Sequence, residues 1–287
     1  MRVADGGIAV CPLGSGSKGN AYWVETAKTA ILIDAGFSFK QLSGRIADIG
    51  RDIADVEHVF ITHEHNDHIQ SLKVMLKRHR PTIWTSAGTL RAIRKHLPDG
   101  ASVKRINSNP ENAGDIVAQA IPVRHDAAEP FAYRFDSHAG SLAIVTDLGE
   151  WTPDNVKALD GPDVFVCEAN HDPEMLAAGP YPWYLKQRIA SETGHLSNEQ
   201  GAMLAAAVVK KGTREIVLAH LSETNNDSSL ALEVFGTQLN GKRDHVHIHA
   251  ASQAQPGPWV RSAVHETAGE KQARGGPSIA SLLRRPR

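Results

Sequence analysis

Six residues, His63-Glu64-His65-Asn66-Asp67-His68, constrain this chain more than any other feature in it. They put three imidazoles and two carboxylates into one short segment. Before it, residues 56–62 read Val-Glu-His-Val-Phe-Ile-Thr, a β-branched and aromatic run that predicts a strand. After it, Ile69, Leu72, Met75 and Leu76 recur at helical spacing and predict a helix with one apolar face. The cluster is therefore read as a tight loop at a strand end, where side chains can converge on one point. Imidazole nitrogen combined with carboxylate oxygen suits zinc, manganese or iron. The segment has no thiolate, which argues against a closed structural zinc site. The bland alternative is a solvated His-rich loop, and the apolar strand leading directly into the His-X-His-X-Asp-His pattern weighs against it. The spacing is asymmetric: His63 and His65 can bind one ion together, and Asp67 and His68 then point to a neighbouring second one.

Short runs rich in Val and Ile recur elsewhere, at residues 30–34, 82–86, 116–123, 141–146, 163–168 and 215–219, and predict further strands. Ser197-Asn198-Glu199-Gln200 has the form of a capping box, followed by a helix body and a stop at Gly212. The chain is thus mixed α/β, with sheet in both halves. No linker divides it, so residues 1–261 are read as one domain. Residues 262–287 have little to bury, contain Gly275-Gly276-Pro277 and end Arg284-Arg285-Pro286-Arg287, which predicts a flexible basic tail. Its end could touch a polyanion; a solvated terminus is the plainer reading.

The balance of 31 Lys and Arg against 32 Asp and Glu excludes a general basic coat, so any nucleic-acid contact must come from a local patch. Two cysteines, Cys11 and Cys167, cannot build a disulfide framework, and Cys167 sits in an apolar run as a small buried residue. No apolar run approaches the ~18 residues that cross a bilayer, and the N-terminus is too weakly apolar for a secretory signal. No membrane association and a cytoplasmic location are expected. The sequence leaves oligomeric state open.

At the His cluster the chain resembles the metallo-β-lactamase superfamily. His125 in Val123-Arg124-His125-Asp126, Asp147 in Thr146-Asp147-Leu148-Gly149 and His220 in Ala219-His220-Leu221-Ser222 follow in the order of that pattern. The resemblance implies a four-layer αββα sandwich with two divalent ions, Zn or Mn, at one edge of the sheets. It assigns His63, His65 and His125 to the first ion and Asp67, His68 and His220 to the second, with Asp147 bridging. Each outlying residue taken alone is as well explained as a structural hydrogen-bonding group; the collective order favours ligation. Leu13-Gly14-Ser15-Gly16-Ser17-Lys18-Gly19-Asn20, Glu168-Ala169-Asn170-His171-Asp172, Gly194-His195-Leu196-Ser197-Asn198 and the segment from His220 to Asn226 narrow the resemblance to the YycJ-like (WalJ-like) exonuclease branch. That branch implies 5′-to-3′ removal of nucleotides from double-stranded DNA by a hydroxide bridging two metals.

The chemistry of such a site assigns further roles. Asp67 can orient the attacking oxygen while ligating. The departing sugar oxygen needs a proton, and His195, just before the Ser197 cap, is the candidate acid by analogy with ribonuclease Z. The swapped assignment, with His195 as ligand and His220 as acid, stays open, as does a purely bracing role for His195. Ser15, Ser17 and Asn20 lie in a Gly/Ser loop whose backbone N–H groups could cradle a phosphate; a plain turn is the alternative. Asn170 and His171 follow a buried strand and are candidates to face the metals. Lys186 and Arg188 could meet a nucleic-acid backbone, or be ordinary surface charges. Tyr181, Trp183 and Tyr184 are read first as core, with stacking on an end base as the sharper possibility. Two other function classes fit the same metal set: a small-molecule hydrolase acting on cyclic phosphodiesters, thioesters or lactams, and a non-enzymatic metal or nucleic-acid binding module.

Overall fold

The computed structural model describes residues 7–138, 140–239 and 245–262. In chain order the strands are β1 (Ala9–Gly14), β2 (Ala21–Glu25), β3 (Ala30–Ile33), β4 (His58–Phe60), β5 (Thr82–Thr85), β6 (Val103–Arg105) and β7 (Glu111–Ala113). They continue as β8 (Ile116–Pro122), β9 (Phe131–Ser137), β10 (Gly140–Val145), β11 (Val164–Glu168), β12 (Glu215–Ala219), β13 (His247–Ala250) and β14 (Val260–Arg261). The helices are α1 (Phe39–Asp48), α2 (Asn66–Ile69), α3 (Leu72–Arg78), α4 (Ala87–Ile93), α5 (Pro153–Leu159), α6 (Pro173–Ala178), α7 (Trp183–Ile189), α8 (Asn198–Val208) and α9 (Ser228–Leu239).

Two seven-stranded mixed sheets form, ordered β14-β1-β2-β3-β4-β5-β6 and β13-β12-β11-β10-β9-β8-β7. The central strands of each are apolar on both faces, because each sheet is covered twice. Between the sheets, Tyr22, Ile31, Phe60 and Trp84 meet Tyr133, Phe135, Ile144 and Val166. Phe60 stacks on Trp84 with centroids 5.3 Å apart and meets Tyr133 and Phe135 edge-on, an arrangement the ring quadrupoles favour. Outside the first sheet, Leu42 and Ile46 of α1 and Leu72 and Met75 of α3 cover Trp23, Leu32 and Val59. Outside the second, α5, α8 and α9 bring Leu159, Leu204, Val208 and Phe235 onto Phe165 and Leu218. Helix, sheet, sheet and helix are the four layers expected from the sequence.

Three boundaries differ from the sequence reading. The helix expected after the His cluster is two pieces, α2 and α3, broken where Ser71 donates through both its N–H and its hydroxyl to the Ala35 carbonyl. Asp67 and His68 therefore sit in a helical turn and not in an open loop. Helix α8 starts at the predicted capping box but stops at Val208, before Gly212, because Val209 is already extended. The first sheet closes on β14, which pairs with β1, and the Ser262 hydroxyl accepts the Ile8 N–H at 3.1 Å. Ser262 is thus tied to the first sheet, one residue past the boundary placed at 261; the rest of the tail expected over 262–287 lies outside the described residues.

Gly36 shows how tightly the metal loop is laid down. Ala35 N–H donates to the His68 carbonyl at 2.7 Å, and a Cβ on Gly36 would stand 1.6 Å from the Asp67 carbonyl oxygen. No residue but glycine fits that backbone approach. Gly36→Ala is expected to destabilise the fold by about 1–3 kcal/mol, the usual range for overpacking, and to lower metal content. Gly44→Ala, inside α1 with nothing within 4 Å of the added atom, is expected to stabilise by about 0.5–1 kcal/mol. Thermal melts and metal analysis of both variants check the pair; equal melting temperatures would refute the argument.

Candidate metal centre

The residues singled out by sequence gather at one edge of the sandwich, at the C-terminal ends of strands from both sheets. β3 leads to Asp34, β4 to Thr62 and the His cluster, β8 to His125, β10 to Asp147, β11 to Glu168 and β12 to His220. Three of these positions have left-handed backbone: Asp34 (φ 58°), Asp147 (φ 57°) and His220 (φ 57°). Such a conformation costs a non-glycine residue on the order of 1 kcal/mol or more and persists only where the surroundings enforce it. Asp and His are among the side chains that tolerate it best. Each kink turns a side chain that would continue the strand's alternation into the space between the two sheet ends.

Two buried carboxylates hold the imidazoles. Asp34 accepts from Thr62 N at 2.9 Å, from the Thr62 hydroxyl at 2.9 Å and from His68 Nδ1 at 2.8 Å. Glu168 is fully buried. Its Oε1 accepts from His195 Nδ1 and His220 Nδ1, both at 2.9 Å, and from Asp147 N at 3.2 Å. Its Oε2 accepts from Leu148 N at 2.9 Å and Leu196 N at 3.2 Å. Burial opposes ionisation of Glu168, but His195, His220 and the converging donors outweigh it and lower its pKa to about 2. Neither Asp34 nor Glu168 was marked as a site residue by sequence. The signal was present for Glu168, which stands at the end of an apolar run where a carboxylate is costly.

With their Nδ1 atoms spent on carboxylates, His68 and His220 turn Nε2 inward, the arrangement that fixes imidazole ligands at metal sites. His63, His65 and His125 converge likewise: His65 Nδ1 lies 3.1 Å from His63 Nε2 and 3.3 Å from His125 Nε2, while His125 Nδ1 is bound to the Gly194 carbonyl. His63 with His68 and Asp147 forms a second set within metal-binding reach. Asp147 Oδ2 stands 3.3 Å from His68 Nε2, and Asp67 Oδ2 is 3.6 Å from the same atom. The donor set fits divalent cations. His220 Nε2 and Asp147 Oδ2 are buried without a hydrogen-bond partner among the described residues. An unsatisfied buried polar atom costs about 1–3 kcal/mol, and a cation would relieve both. Asp147, Glu168, His195 and His220 also fall within coordinating distance of one another. Five donors already occupy the Glu168 oxygens, so this carboxylate orients ligands and does not compete to be one.

The electrostatics agree. Burial and the neighbouring His68 push His63 well below the usual imidazole range, leaving it a neutral donor. Burial opposes charge on His220, but Asp147 and Glu168 prevail and raise it to about 9. Burial likewise opposes charge on Asp147, yet His220 and His68 hold its carboxyl well below the usual range. The charged imidazoles are thus His68 and His220, each set against buried carboxylates, while His63 and His125 are held toward the neutral form.

The remaining candidates divide. Ser17, Asp67, Asn170, Arg188, His195 and His220 line an open cleft of about 320 Å³. His195 is 20% exposed there, whereas His220 is 3% exposed. Asn170 Nδ2 donates to the His220 carbonyl at 2.9 Å. Ser15 and Asn20 are buried: the Ser15 hydroxyl accepts the His220 N–H at 2.7 Å, and Asn20 Nδ2 reaches His68 Nε2 at 3.2 Å and Asp67 Oδ2 at 3.4 Å. The Gly/Ser loop leaves only the Ser17 N–H, at the cleft, without an acceptor among the described residues, and one donor does not make the cradle expected. The N–H groups of Ser15, Gly16, Lys18, Gly19 and Asn20 all donate to acceptors within the protein. Lys186 is not part of the cleft and donates to the Ala177 carbonyl. Arg188 reaches the rim but pairs with Asp126 at 2.7 Å. Trp183 and Tyr184, read as core, are 72% and 73% exposed on α7, because that helix buries no side chain; Tyr181 lines the cleft. His171 is buried with its Nδ1 unpaired among the described residues, and Cys167 is a buried free thiol.

A cation entering this centre must displace the proton that His220 holds at pH 7. Metal uptake is therefore expected to release protons and to strengthen as pH rises toward about 9, where His220 loses that proton unaided. Calorimetric titration in two buffers of different ionisation enthalpy measures the release; identical heats in both would refute it.

The chain matches the family described as the Beta-lactamase superfamily domain over residues 29–221, a span that holds every candidate ligand. It is 37% identical to the exodeoxyribonuclease WalJ of Streptococcus pneumoniae (strain D39) over 232 residues, covering 79% of this chain and 86% of that protein. It is also 37% identical to the exodeoxyribonuclease YycJ of Bacillus anthracis over 229 residues, covering 78% and 86%. In three dimensions it is similar to the crystal structure of the metallo-β-lactamase fold protein YhfI from Bacillus subtilis, with a TM-score of 0.70, 15% identity, and coverage of 90% of this chain and 100% of that one. With the ligand pattern, the four layers and these matches in agreement, the chain belongs to the metallo-β-lactamase superfamily, in the family of WalJ and YycJ.

Proposed function

We propose that this protein is a metal-dependent exodeoxyribonuclease that removes nucleotides from duplex DNA in the 5′-to-3′ direction. The observation that carries this reading is 37% identity to WalJ across 79% of the chain, in a protein whose His and Asp groups gather where they could hold metal ions. We assign His63, His65 and His125 to one divalent ion and Asp67, His68 and His220 to a second, with Asp147 shared, and zinc or manganese as the metals. Bound cations supply positive charge against the phosphate oxygens and a nucleophile at neutral pH.

The protein's own groups do the rest. Asp67, at the open side of the centre, orients the attacking water. His195 donates Nδ1–H to Glu168, which leaves its Nε2 for the cleft. The Glu168 carboxylate, ionised down to about pH 2, fixes that ring orientation through the Nδ1–H bond. His195 can then pass a proton to the departing sugar oxygen. Its exposure in the cleft, against the buried and unpaired Nε2 of His220, is why His195 is assigned the acid and His220 the ligand. No helix among the described residues is long and apolar enough to cross a membrane. The free buried thiols Cys11 and Cys167 are in keeping with work in a reducing cytoplasm.

His195→Ala is expected to lower kcat on duplex DNA by about 10²–10⁴-fold, the usual contribution of a general acid, with metal content unchanged. On a p-nitrophenyl nucleotide ester, whose leaving group needs no proton, the loss should shrink to within about tenfold. His220→Ala should instead lose metal. Incubation with Mn²⁺ and end-labelled duplex tests the activity itself. Absence of nucleotide release under any metal, with turnover of cyclic phosphodiesters or thioesters, would replace this reading with a small-molecule hydrolase.

A further inference from the structure

Residues 73–105 carry nine Lys and Arg and a single acidic residue, Asp99. The whole chain is balanced, so this one stretch leaves 22 basic against 31 acidic residues elsewhere. All nine are exposed: Lys73, Lys77, Arg78 and Arg80 on and after α3, Arg91, Arg94 and Lys95 on and after α4, and Lys104 and Arg105 on β6. None forms an ion pair with a described residue, although Lys18, Arg51, Arg124, Arg134, Arg188 and Lys210 all do.

The fold turns this stretch into one face. β6 is the edge strand of the first sheet, and Lys104 and Arg105 pair there with Trp84 and Thr85 of β5. The end of α3 and the turn before β6 share a groove that joins Lys77 and Arg80 to Asp99 and Ser102. His96, after α4, feels the field: its pKa is lowered by burial and then by Lys95 and Lys73, which brings α3 and α4 together electrostatically. Only the start of α4 adjoins the metal loop; the ends of α3 and α4 and the turn before β6 lie at the other ends of the parallel strands. At the start of α4, Gly88 N–H donates to Glu129 at 2.6 Å, and the Thr89 hydroxyl reaches Glu64, the residue between His63 and His65, at 3.4 Å.

Nine exposed cations without a carboxylate partner among the described residues, two of them (Arg78 and Lys104) lying over the Phe39 and Trp84 rings, repel one another and destabilise the compact state. A polyanion removes the penalty, and its binding gains from counterion release. The cleft itself is poor in free cations, since Arg188 is paired with Asp126. Grip on a charged substrate must come from outside it.

We propose that the face formed by α3, α4, the turns that follow them and β6 binds the sugar-phosphate backbone of duplex DNA at a distance from the catalytic cleft, toward the opposite ends of the parallel strands. This rests on the reading of the protein as a DNA exonuclease, and it assigns the duplex grip to a surface separate from the metal ligands.

The test compares full-length protein with a fourfold variant, Lys77→Gln, Arg80→Gln, Arg94→Gln and Lys95→Gln. A charge-matched control carries Lys40→Gln, Lys157→Gln, Lys210→Gln and Lys211→Gln. Binding to a 30-base-pair duplex is read by fluorescence anisotropy from 50 to 200 mM salt, in Ca²⁺. Each lost phosphate contact flattens the slope of log K against log salt by about 0.9. The face variant is expected to be shallower by about 3–4, with KM for duplex cleavage raised at least tenfold, while the control stays within one unit of the unaltered protein. Equal slopes in all three proteins, with DNA still cleaved, would overturn this inference and leave the exonuclease reading standing. An unaltered protein that neither binds nor cuts DNA would sink that reading instead. Loss of affinity for phosphatidylserine vesicles, with duplex affinity retained, would assign the face to a membrane and also overturn the inference. Melting temperature and metal content within error of the unaltered protein exclude a folding defect.

Discussion

One buried carboxylate holds this site in shape. Glu168 lies at the end of β11 with no exposure and takes hydrogen bonds from five donors. An ionised carboxylate removed from water is tolerated only with such compensation. Its donors come from the turn after β10, from the segment before α8 and from the end of β12, so satisfying one charge fixes three separate pieces of chain. The two imidazoles among them acquire one defined tautomer and one defined direction. Asp34 does the same for His68 from the other sheet, with Thr62 completing its shell. The site is built from carboxylates outward: buried anions orient imidazoles whose other nitrogens converge inward, with His220 Nε2 and Asp147 Oδ2 left unpaired among the described residues.

That design explains why the strained backbone falls where it does. Asp34, Asp147 and His220 follow three different strands, and all three are left-handed. An extended chain would alternate side chains between the two faces of its sheet, and neither face points at the gap between sheet ends. A single left-handed residue re-aims the side chain into that gap. The conformational cost is offset by the hydrogen bonds each residue then makes. The metal loop is seated by a comparable trade, in which Gly36 gives up a side chain so that two backbones can approach and exchange hydrogen bonds.

The sequence carried the centre of this protein in readable form. His63, His65, Asp67 and His68 are close in the chain, and local chain geometry is enough to bring them together. The strands at β3, β4, β5, β8, β10, β11 and β12 were legible because apolar, largely β-branched residues are concentrated in them. The internal strands β2 and β9, which mix aromatic with charged residues, were missed, and so were the edge strands. β6 reads Val-Lys-Arg, β7 Glu-Asn-Ala and β13 His-Ile-His-Ala, with no apolar pattern, because pairing to a neighbour and not burial makes them strands. Ser15 and Asn20, expected to meet a phosphate, are buried and hold the His220 backbone and the His68 ring. A Gly/Ser loop suggests an anion cradle, yet whether its N–H groups are free depends on Ser252, Gln253 and the metal loop, up to 237 positions away.

The amino-acid sequence alone settled the metal-binding character of the chain, its α/β class and its superfamily, since these follow from residue identity, short spacing and apolar periodicity. Tertiary structure decided everything that depends on direction. Only the fold shows that Glu168 is a hub and not one more strand residue, that His220 points an unpartnered nitrogen inward while His195 looks into the cleft, and that nine exposed cations fall on α3, α4, the turns after them and the edge strand β6. The physical reason is common to all three. Hydrogen-bond geometry and electrostatic fields depend on where atoms stand in space, and residues far apart along a chain have no relative position until the sheets have packed.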